Sequence, residues 1–135
     1  MVSVRCRASS SIQAQRQRIW TYYDLHLRDW AKERGIGRPV VPAHCEQSYH
    51  MYYLIMPSLE TRQALISFLK SRGILSVFHF VPLHLSSMGQ RMGGCKGSCP
   101  VSEEKSERLL RLPFFNGLDE SALNQVISAI RQFET

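Results

Sequence analysis

Hydrophobic residues recur at helical spacing in the first third of the chain and again near its middle. In residues 11–34 they fall three or four positions apart with arginines between them, which predicts a long amphipathic helix that ends at Gly35. A second pattern of this kind predicts a helix over residues 59–72. Ser58 is suited to cap its start, and Gly73 suits the left-handed conformation that closes it.

The clearest helical pattern lies at the C-terminus. Asp119 is its predicted N-cap, because a carboxylate there can accept backbone N–H groups. A shorter charged stretch, residues 103–110, predicts a short helix before it. The apolar face of the C-terminal helix is predicted to consist of Leu123, Val126, Ile127, Ile130 and Phe133.

Short runs of aromatic and aliphatic residues predict three strands. The run YHMYYLIM at residues 49–56 predicts a central strand that Pro57 ends. The alternating run ILSVFHFV at residues 74–81 predicts a second strand, and LPFF at residues 112–115 a short third one. Strand, helix and strand within about 30 residues indicate one compact unit.

Between these elements the chain is predicted to be irregular. Residues 35–48 and 83–100 are rich in glycine, proline or both, and the second of these loops is expected to be the most mobile part, with room for a short turn of helix. Residues 1–10 lack periodicity and are predicted to form an irregular leader. The expected organisation is a leader, a long connecting helix over residues 11–34 and one α+β domain over residues 35–135.

Composition narrows the class of protein. The 135 residues are 44% hydrophobic, which is enough for one domain with its own core. The longest uncharged apolar run, residues 51–59, has about half the length of a bilayer span, and the N-terminus has no apolar stretch of signal-peptide length. We therefore expect a soluble cytoplasmic protein with no membrane partner.

Positive charge is concentrated near the N-terminus. Eight of the 17 basic residues but three of the 11 acidic ones lie in residues 1–40, within a net charge of +6. Aromatic residues lie between the arginines there, a combination that suits nucleic-acid binding. Because the aromatic positions fall on the apolar face, we favour a packing helix with a solvated basic side and expect no nucleic-acid partner.

The four cysteines do not indicate a disulfide framework. Their spacings are irregular and nothing else in the chain suggests export, so we expect a reducing compartment. Cys95 and Cys99 enclose the sequence CKGSC, but the nearest histidine is eleven residues away and no second close pair follows. Because zinc sites combine closely spaced pairs of ligands, no metal site is predicted.

The segment HFVPLH carries the side chains that most suggest binding. His79 is predicted inside the second strand, and His84 lies just past Pro82, where a loop leaves the sheet and side chains can converge on a ligand. Either both imidazoles reach one pocket, or His79 is a hydrogen-bonded core residue and His84 a surface residue. Residue type alone leaves both interpretations open.

No catalytic arrangement is found along the chain. It contains no GxGxxG, GxxxxGK or GxSxG string, no nucleophile with an adjacent base and no isolated carboxylate pair. Glu103, Glu104 and Glu107 form a charged helical turn that solvation explains. If the chain belongs to an enzyme, we expect the bond-breaking groups elsewhere, and we assign no catalytic residue here.

Six strings in a fixed order nevertheless resemble one known family. Together they cover about residues 9–135 and resemble the C-terminal portion of the DegT/StrS sugar-nucleotide aminotransferases, which are pyridoxal-phosphate enzymes. VFHFVPLH and SERLLRLPFF look closest to the transaminases that act on dTDP-4-oxo-6-deoxyglucose and form the 4-amino-4,6-dideoxygalactose. The strings are RxxIWxxYxxxL from Arg16, HMYYLIM from His50, RxxLIxFLKxxGI from Arg62, VFHFVPLHxSxxG from Val77, SERLLRLPFF from Ser106 and LxxxxxxxVIxxI from Leu118.

The resemblance implies a fold and assigns cofactor binding to a different domain. The fold is a small antiparallel sheet of about three strands with helices on one side, like the C-terminal small domain of fold-type I aminotransferases. In the family, the lysine that binds pyridoxal phosphate and the residues that hold its phosphate lie in a large domain N-terminal to this region. None of the four lysines here resembles that anchor, so we expect no covalently bound cofactor and no activity from this chain alone.

The resemblance also implies binding residues. In such enzymes the small domain closes the active site, and HFVPLH corresponds to the segment that faces cofactor and substrate. His84 is therefore the first candidate for a substrate contact and His79 the second, with His50 and Tyr52 as supporting pocket residues. Their implied role is hydrogen bonding to sugar hydroxyls or phosphate oxygens.

The implied partners are a nucleotide sugar, the missing large domain and a second copy of the chain. The parent reaction would transfer an amino group from glutamate to a 4-keto-6-deoxy or, as the less favoured choice, a 3-keto nucleotide sugar for lipopolysaccharide or another surface polysaccharide. Without the large domain, the helix face of Trp20, Tyr23 and Trp30 is expected to drive self-association. The alternative, from a different class, is a non-catalytic module that binds a nucleotide sugar.

Two regions depart from the family pattern. Residues 1–8 match nothing expected before the long helix. Residues 91–100, with CKGSC, differ from the more acidic and aromatic loop expected there, which leaves the preferred sugar open.

Overall fold

The computed structural model describes residues 3–134 of the chain, with side chains from residue 10 onward. Within this range it contains five α-helices, three short strands and a 3₁₀ turn at Leu83–Leu85. The helices are α1 Ser3–Glu33, α2 Leu59–Ser71, α3 Ser87–Arg91, α4 Pro100–Arg108 and α5 Glu120–Arg131, and the strands are β1 Tyr53–Ile55, β2 Val77–Phe78 and β3 Leu109–Arg111.

Helix α1 is longer than the sequence pattern predicts. It begins at Ser3 instead of Ser11, so the irregular leader predicted for residues 1–10 is wrong for residues 3–10. Those residues contain neither glycine nor proline, and adding a residue to an existing helix costs far less than starting one. The buried side chains of α1 are Ile19, Tyr23, Leu27, Trp30 and Ala31, which confirms the predicted amphipathic face.

The predicted helix caps are confirmed. The Ser58 hydroxyl accepts the backbone N–H of Thr61 at 3.2 Å, and the Asp119 carboxylate accepts that of Ala122 at 2.8 Å. Gly73 follows α2 with φ of +73°, the left-handed conformation expected of it. These local signals place the starts of α2 and α5 where they were predicted, and α2 ends one residue before its predicted end. Phe133, predicted on the face of the last helix, lies just past its end at Arg131.

The sheet is small and antiparallel, as the resemblance implies. Strand β3 lies in the centre, between β1 and β2, so the β1–α2–β2 unit leaves a gap that the third strand fills. Leu110 lies opposite Leu54 and Phe78, and its neighbour Arg111 lies opposite Tyr53 and Val77. Leu54 and Leu110 face the buried core, whereas Arg111 lies on the more open face.

The strands are shorter than predicted, and the third lies elsewhere. Residues 109–111 form β3, whereas the predicted strand at 112–115 is wrong. Pro113 has no N–H group to donate, so it cannot serve a central strand that is paired on both sides. The predicted short helix also shifts: α4 starts at Pro100 and ends at Arg108.

Helix α5 and the residues just before β1 pack against the aromatic residues of α1. Tyr23 is fully buried and Trp30 is 6% exposed. The Tyr22 hydroxyl donates to Asn124 on α5 at 2.9 Å, and the Tyr23 hydroxyl donates to the carbonyl of Pro113 at 2.9 Å. Trp20 is partly buried and Tyr23 and Trp30 are buried, so this helix face is not a free surface. Self-association through it stays a prediction.

A different surface carries exposed apolar side chains. It runs along β2 and the segment that follows it, and we call it the apolar strip. Its members are Leu75, Val77, Phe78, Phe80, Val81 and Leu83, which are 40–86% exposed.

None of the helices in residues 3–134 is both long enough and apolar enough to cross a membrane.

Candidate functional site

The segment HFVPLH leaves the sheet and enters a 3₁₀ turn. Strand β2 ends at Phe78, so His79 lies just outside the strand instead of within it. Pro82 then begins the 3₁₀ turn that contains His84. A cleft of about 360 Å³ lies between this segment, α2 and α4, and its walls include His79, Arg62 and Glu103.

His84 is held by a carboxylate of its own chain. Its Nε2 lies 2.8 Å from Oε1 of Glu103, and the two side chains are only 16% and 12% exposed. The same carboxylate accepts the N–H of Gly97 at 2.9 and 3.0 Å and that of Cys99 at 3.3 Å. The hydrogen bond from His84, followed by those from the backbone, lowers the pKa of Glu103 below its usual range. Glu103 thus joins the 3₁₀ turn to the start of α4.

Two glycines let the chain close around His84. A Cβ on Gly89 would lie 2.0 Å from the carbonyl oxygen of Leu83 and 2.8 Å from Cα of His84. A Cβ on Gly94 would lie 2.3 Å from the carbonyl oxygen of His84. Because all of these neighbours are backbone atoms that cannot rotate away, the segment predicted as a mobile loop is tightly packed around His84.

Acidification should release this segment. Because the pKa of Glu103 is lowered by folding, its stabilising effect is complete above the ordinary carboxyl value of about 4.3 and is lost as pH falls through the lower folded value. We expect the amide NMR signal of Gly97 to titrate in that acidic window. The Glu103→Gln variant should show no such transition, and Glu107→Gln, on an exposed part of the same helix, should behave as wild type. A wild-type Gly97 signal that does not move at acidic pH would contradict this assignment.

His79 has an unsatisfied ring nitrogen. Its Nδ1 is buried and has no hydrogen-bond partner, while the ring packs 5.2 Å from that of Phe80. Burial, followed by the positive charges of Arg111 and His50, lowers the pKa of His79. The ring is therefore neutral at pH 7, and it is not the hydrogen-bonded core residue that one interpretation of the sequence predicts.

Arg111 and His50 complete a group of basic side chains with His79, here called the basic cluster. Arg111 lies in the central strand on the open face, and among the described residues no carboxylate lies within 4 Å of its guanidinium. His50 is exposed, with Nδ1 2.8 Å from the Ser48 hydroxyl. Sequence reasoning missed Arg111, although a lone charge within the apolar run LLRLPFF is a usable signal.

Tyr52 lies in the core and not in an open pocket. It is fully buried, its ring stacks 5.3 Å from Tyr23, and its hydroxyl donates to Asp24 at 3.2 Å. Burial, followed by the charge of Asp24, raises the pKa of the hydroxyl above its ordinary value. Asp24 also pairs with Arg28 at 3.3 Å and with Arg38. The structure therefore does not favour Tyr52 as a substrate contact, because its side chain is enclosed in the core.

The lysines do not fit a covalent cofactor site. Such a site needs a secluded amine that faces a pocket. Lys32, Lys70 and Lys96 are exposed, and Lys105 lies 3.3 Å from Glu104 on the surface of α4. The residues present therefore do not anchor pyridoxal phosphate. Within the described residues no group of three or more His, Cys, Asp or Glu side chains is placed to hold a metal ion.

The fold is shared with aminotransferases of known structure. The aminotransferase TlmJ from Streptoalloteichus hindustanus has a similar structure, with a TM-score of 0.80 and 32% identity over 96% of this chain and 33% of that one. The sequence matches the DegT/DnrJ/EryC1/StrS aminotransferase family over residues 2–131, and the chain belongs to that family. The match begins at residue 2, so it includes residues 2–8, which were expected to depart from the family pattern.

Two relatives of similar sequence have different descriptions. A pleiotropic regulatory protein of Geobacillus stearothermophilus is 30% identical over 75% of this chain and 28% of its own length. A UDP-N-acetyl-3-dehydro-alpha-D-glucosamine 3-aminotransferase of Acidithiobacillus ferrooxidans is 29% identical over 90% of this chain and 33% of its own length. The chain therefore spans about a third of these relatives, and the family as a whole depends on pyridoxal phosphate.

Proposed function

We propose that this chain forms the small domain of a pyridoxal-phosphate-dependent sugar aminotransferase and acts with a large domain that carries the cofactor lysine. The apolar strip supports this proposal most directly. Phe80 and Leu83 are 76% and 86% exposed in one continuous segment beside the cleft. Because folded proteins rarely leave so many large apolar side chains together in water, this surface suits a domain that docks onto it.

In this proposal the chain binds and orients the substrate. In the basic cluster, no carboxylate of the described residues pairs with the guanidinium of Arg111. Its positive charge therefore suits the phosphates of a nucleotide sugar. The buried Nδ1 of His79 has no partner within the chain and would accept or donate one hydrogen bond once substrate binding opened this site. His84, held by Glu103, keeps the segment beside the pocket in place, and amino transfer belongs to the other domain.

The proposed substrate is a 4-keto-6-deoxy nucleotide sugar that accepts its amino group from glutamate, in the cytoplasm, for lipopolysaccharide or another surface polysaccharide. The proposed assembly is a homodimer. The name of the Acidithiobacillus relative specifies a 3-dehydro sugar, so both keto positions belong in the test.

A chimera tests the proposal. The third of TlmJ that this chain matches is replaced by this chain, and the purified chimera is loaded with pyridoxal phosphate. We expect glutamate-dependent amination of a 4-keto or 3-keto nucleotide sugar, whereas this chain alone should show none. A chimera that retains the cofactor absorbance but transfers no amino group to either sugar would refute the proposal.

Within the chimera, Arg111→Gln should weaken binding of a nucleoside diphosphate. The loss of one charged hydrogen bond corresponds to an affinity about 10- to 100-fold lower. Calorimetric titration with dTDP and UDP measures it. Arg91→Gln, an exposed arginine on α3, is the matched control and should change the affinity by less than about twofold. Equal effects of the two substitutions would exclude a specific role for Arg111.

The basic cluster also favours one other function, the non-catalytic nucleotide-sugar module. This alternative predicts that the isolated chain binds the nucleotide sugar and that Arg111→Gln abolishes that binding. If the isolated chain binds while the chimera remains inactive, the binding module is the better description.

A further inference from the structure

Two cysteine thiols lie in the turn that leads into α4. Cys95 and Cys99 are both exposed and free. Ser98 closes the turn between them, because its N–H and its hydroxyl both donate to the carbonyl of Cys95, at 3.2 and 2.7 Å. Gly97 has φ of +89°, which reverses the chain within this short span. The two thiols thus belong to one tight turn with three residues between them.

This turn is joined directly to His84. The N–H groups of Gly97 and Cys99 donate to Glu103, whose Oε1 lies 2.8 Å from Nε2 of His84. Any movement of the backbone at residues 97–99 therefore changes the carboxylate that holds the imidazole. The sulfur of Cys95 lies 3.1 Å from the Ser98 hydroxyl.

We propose that Cys95 and Cys99 are a modification site that forms a reversible intrachain disulfide and thereby alters the setting of His84. The co-reactant is a low-molecular-weight disulfide such as oxidised glutathione. One cysteine thiolate attacks it and releases one glutathione thiol, and the second cysteine attacks the mixed disulfide and releases the other. Two electrons pass from the cysteine sulfurs to glutathione, and the two cysteine protons leave with the two glutathione thiols.

The disulfide should loosen the contact with His84. Bonding to Cys99 draws the sulfur of Cys95 away from Ser98 and tightens the turn, which withdraws the N–H groups of Gly97 and Cys99 from Glu103. Small disulfide rings are strained and easily reduced, so the bond suits a reducing compartment where only labile, regulatory disulfides form and break. The inference does not depend on amino transfer, since it concerns the order of this segment alone.

The experiment uses the full chain with Cys6→Ser and Cys45→Ser, so that only the pair remains. On treatment with oxidised glutathione we expect a monomer lighter by about 2 Da, resistance of both thiols to alkylation and a shift of the His84 ring signals in NMR spectra. Dithiothreitol should reverse all three.

Two control variants make the result decisive. Cys95→Ser should not show the loss of 2 Da and should gain at most one glutathione, at Cys99. Cys99→Ala should likewise gain at most one glutathione, at Cys95. In both variants the His84 signals should not move. Restoring Cys45 should change nothing within the monomer. Dimers or stable mixed disulfides in place of the intrachain bond, or an intrachain bond that leaves His84 unchanged, would overturn the proposal.

Discussion

Leu110→Ala is expected to lower the free energy of unfolding by about 2–5 kcal/mol, the largest loss of stability that a single substitution should cause here. Leu110 is fully buried in the central strand and lies opposite Leu54, which is also fully buried. Removing its isopropyl group loses transfer free energy and leaves a cavity that two flanking strands prevent from closing. Urea unfolding followed by circular dichroism measures the change.

Leu25→Ala is the matched control, because Leu25 is 61% exposed on α1. It should change the free energy of unfolding by less than about 0.5 kcal/mol. If Leu110→Ala does not fold, Leu110→Val keeps most of the volume and should show a smaller loss of the same sign. Equal losses for Leu25→Ala and Leu110→Ala would mean that the centre of the sheet is not the core.

The second large effect is expected from Asp24→Ala, at about 2–4 kcal/mol. The Asp24 side chain is 15% exposed and pairs with Arg38, which is 24% exposed. It also accepts the hydroxyl of Tyr52, a fully buried residue. Without the carboxylate, that hydroxyl and the guanidinium lose their partner in a site that water reaches poorly, so the desolvation cost remains uncompensated.

Asp29→Ala, on an exposed part of the same helix, is the control for Asp24→Ala and should change little. Asp24→Asn retains an oxygen acceptor and should fall between the control and the alanine variant. Tyr52→Phe removes only the hydroxyl and should cost less than Asp24→Ala. A loss of stability no greater for Asp24→Ala than for Asp29→Ala would show that the cluster contributes nothing.

The Asp24 cluster also explains how α1 reaches the site. Arg38 comes from the irregular segment after α1, and Tyr52 directly precedes β1. Their shared partner on α1 therefore ties the long helix to the start of the sheet, next to His50 of the basic cluster. We expect the Asp24 variants to disturb the structure around residue 50 more than the contact between α2 and α5.

Local chemistry made the helices predictable. Ser58 and Asp119 are side chains whose capping geometry involves only the next few residues, so the sequence contains all that is needed to place the starts of α2 and α5. The apolar face of α5 was predictable for the same reason, because its period lies within one element.

Strand positions were less predictable, since a strand is defined by its partners. Residues 112–115 resemble a strand by composition, but the central position needs N–H groups on both sides, which Pro113 does not have. Pairing therefore falls three residues earlier, at Leu109–Arg111, where both neighbours can be reached. No local pattern specifies which strand lies in the middle.

The candidate site was also predictable only in part. HFVPLH was identified from its sequence, yet the contact of His84 with Glu103 joins residues 19 positions apart and depends on how α4 folds back. Tyr52 and His79 differ in burial, although both were expected near one pocket. Arg111 became a candidate only when register placed it on the open face of the sheet.

By itself, the sequence determined the family and the helices with their caps, because each depends on residue identity or on spacing within one element. Only the tertiary structure decided that β3 is central, that the aromatic face of α1 is buried and the apolar strip exposed, and that Glu103 joins His84 to the cysteine turn. These features depend on contacts between distant residues, whose free energies no single segment contains.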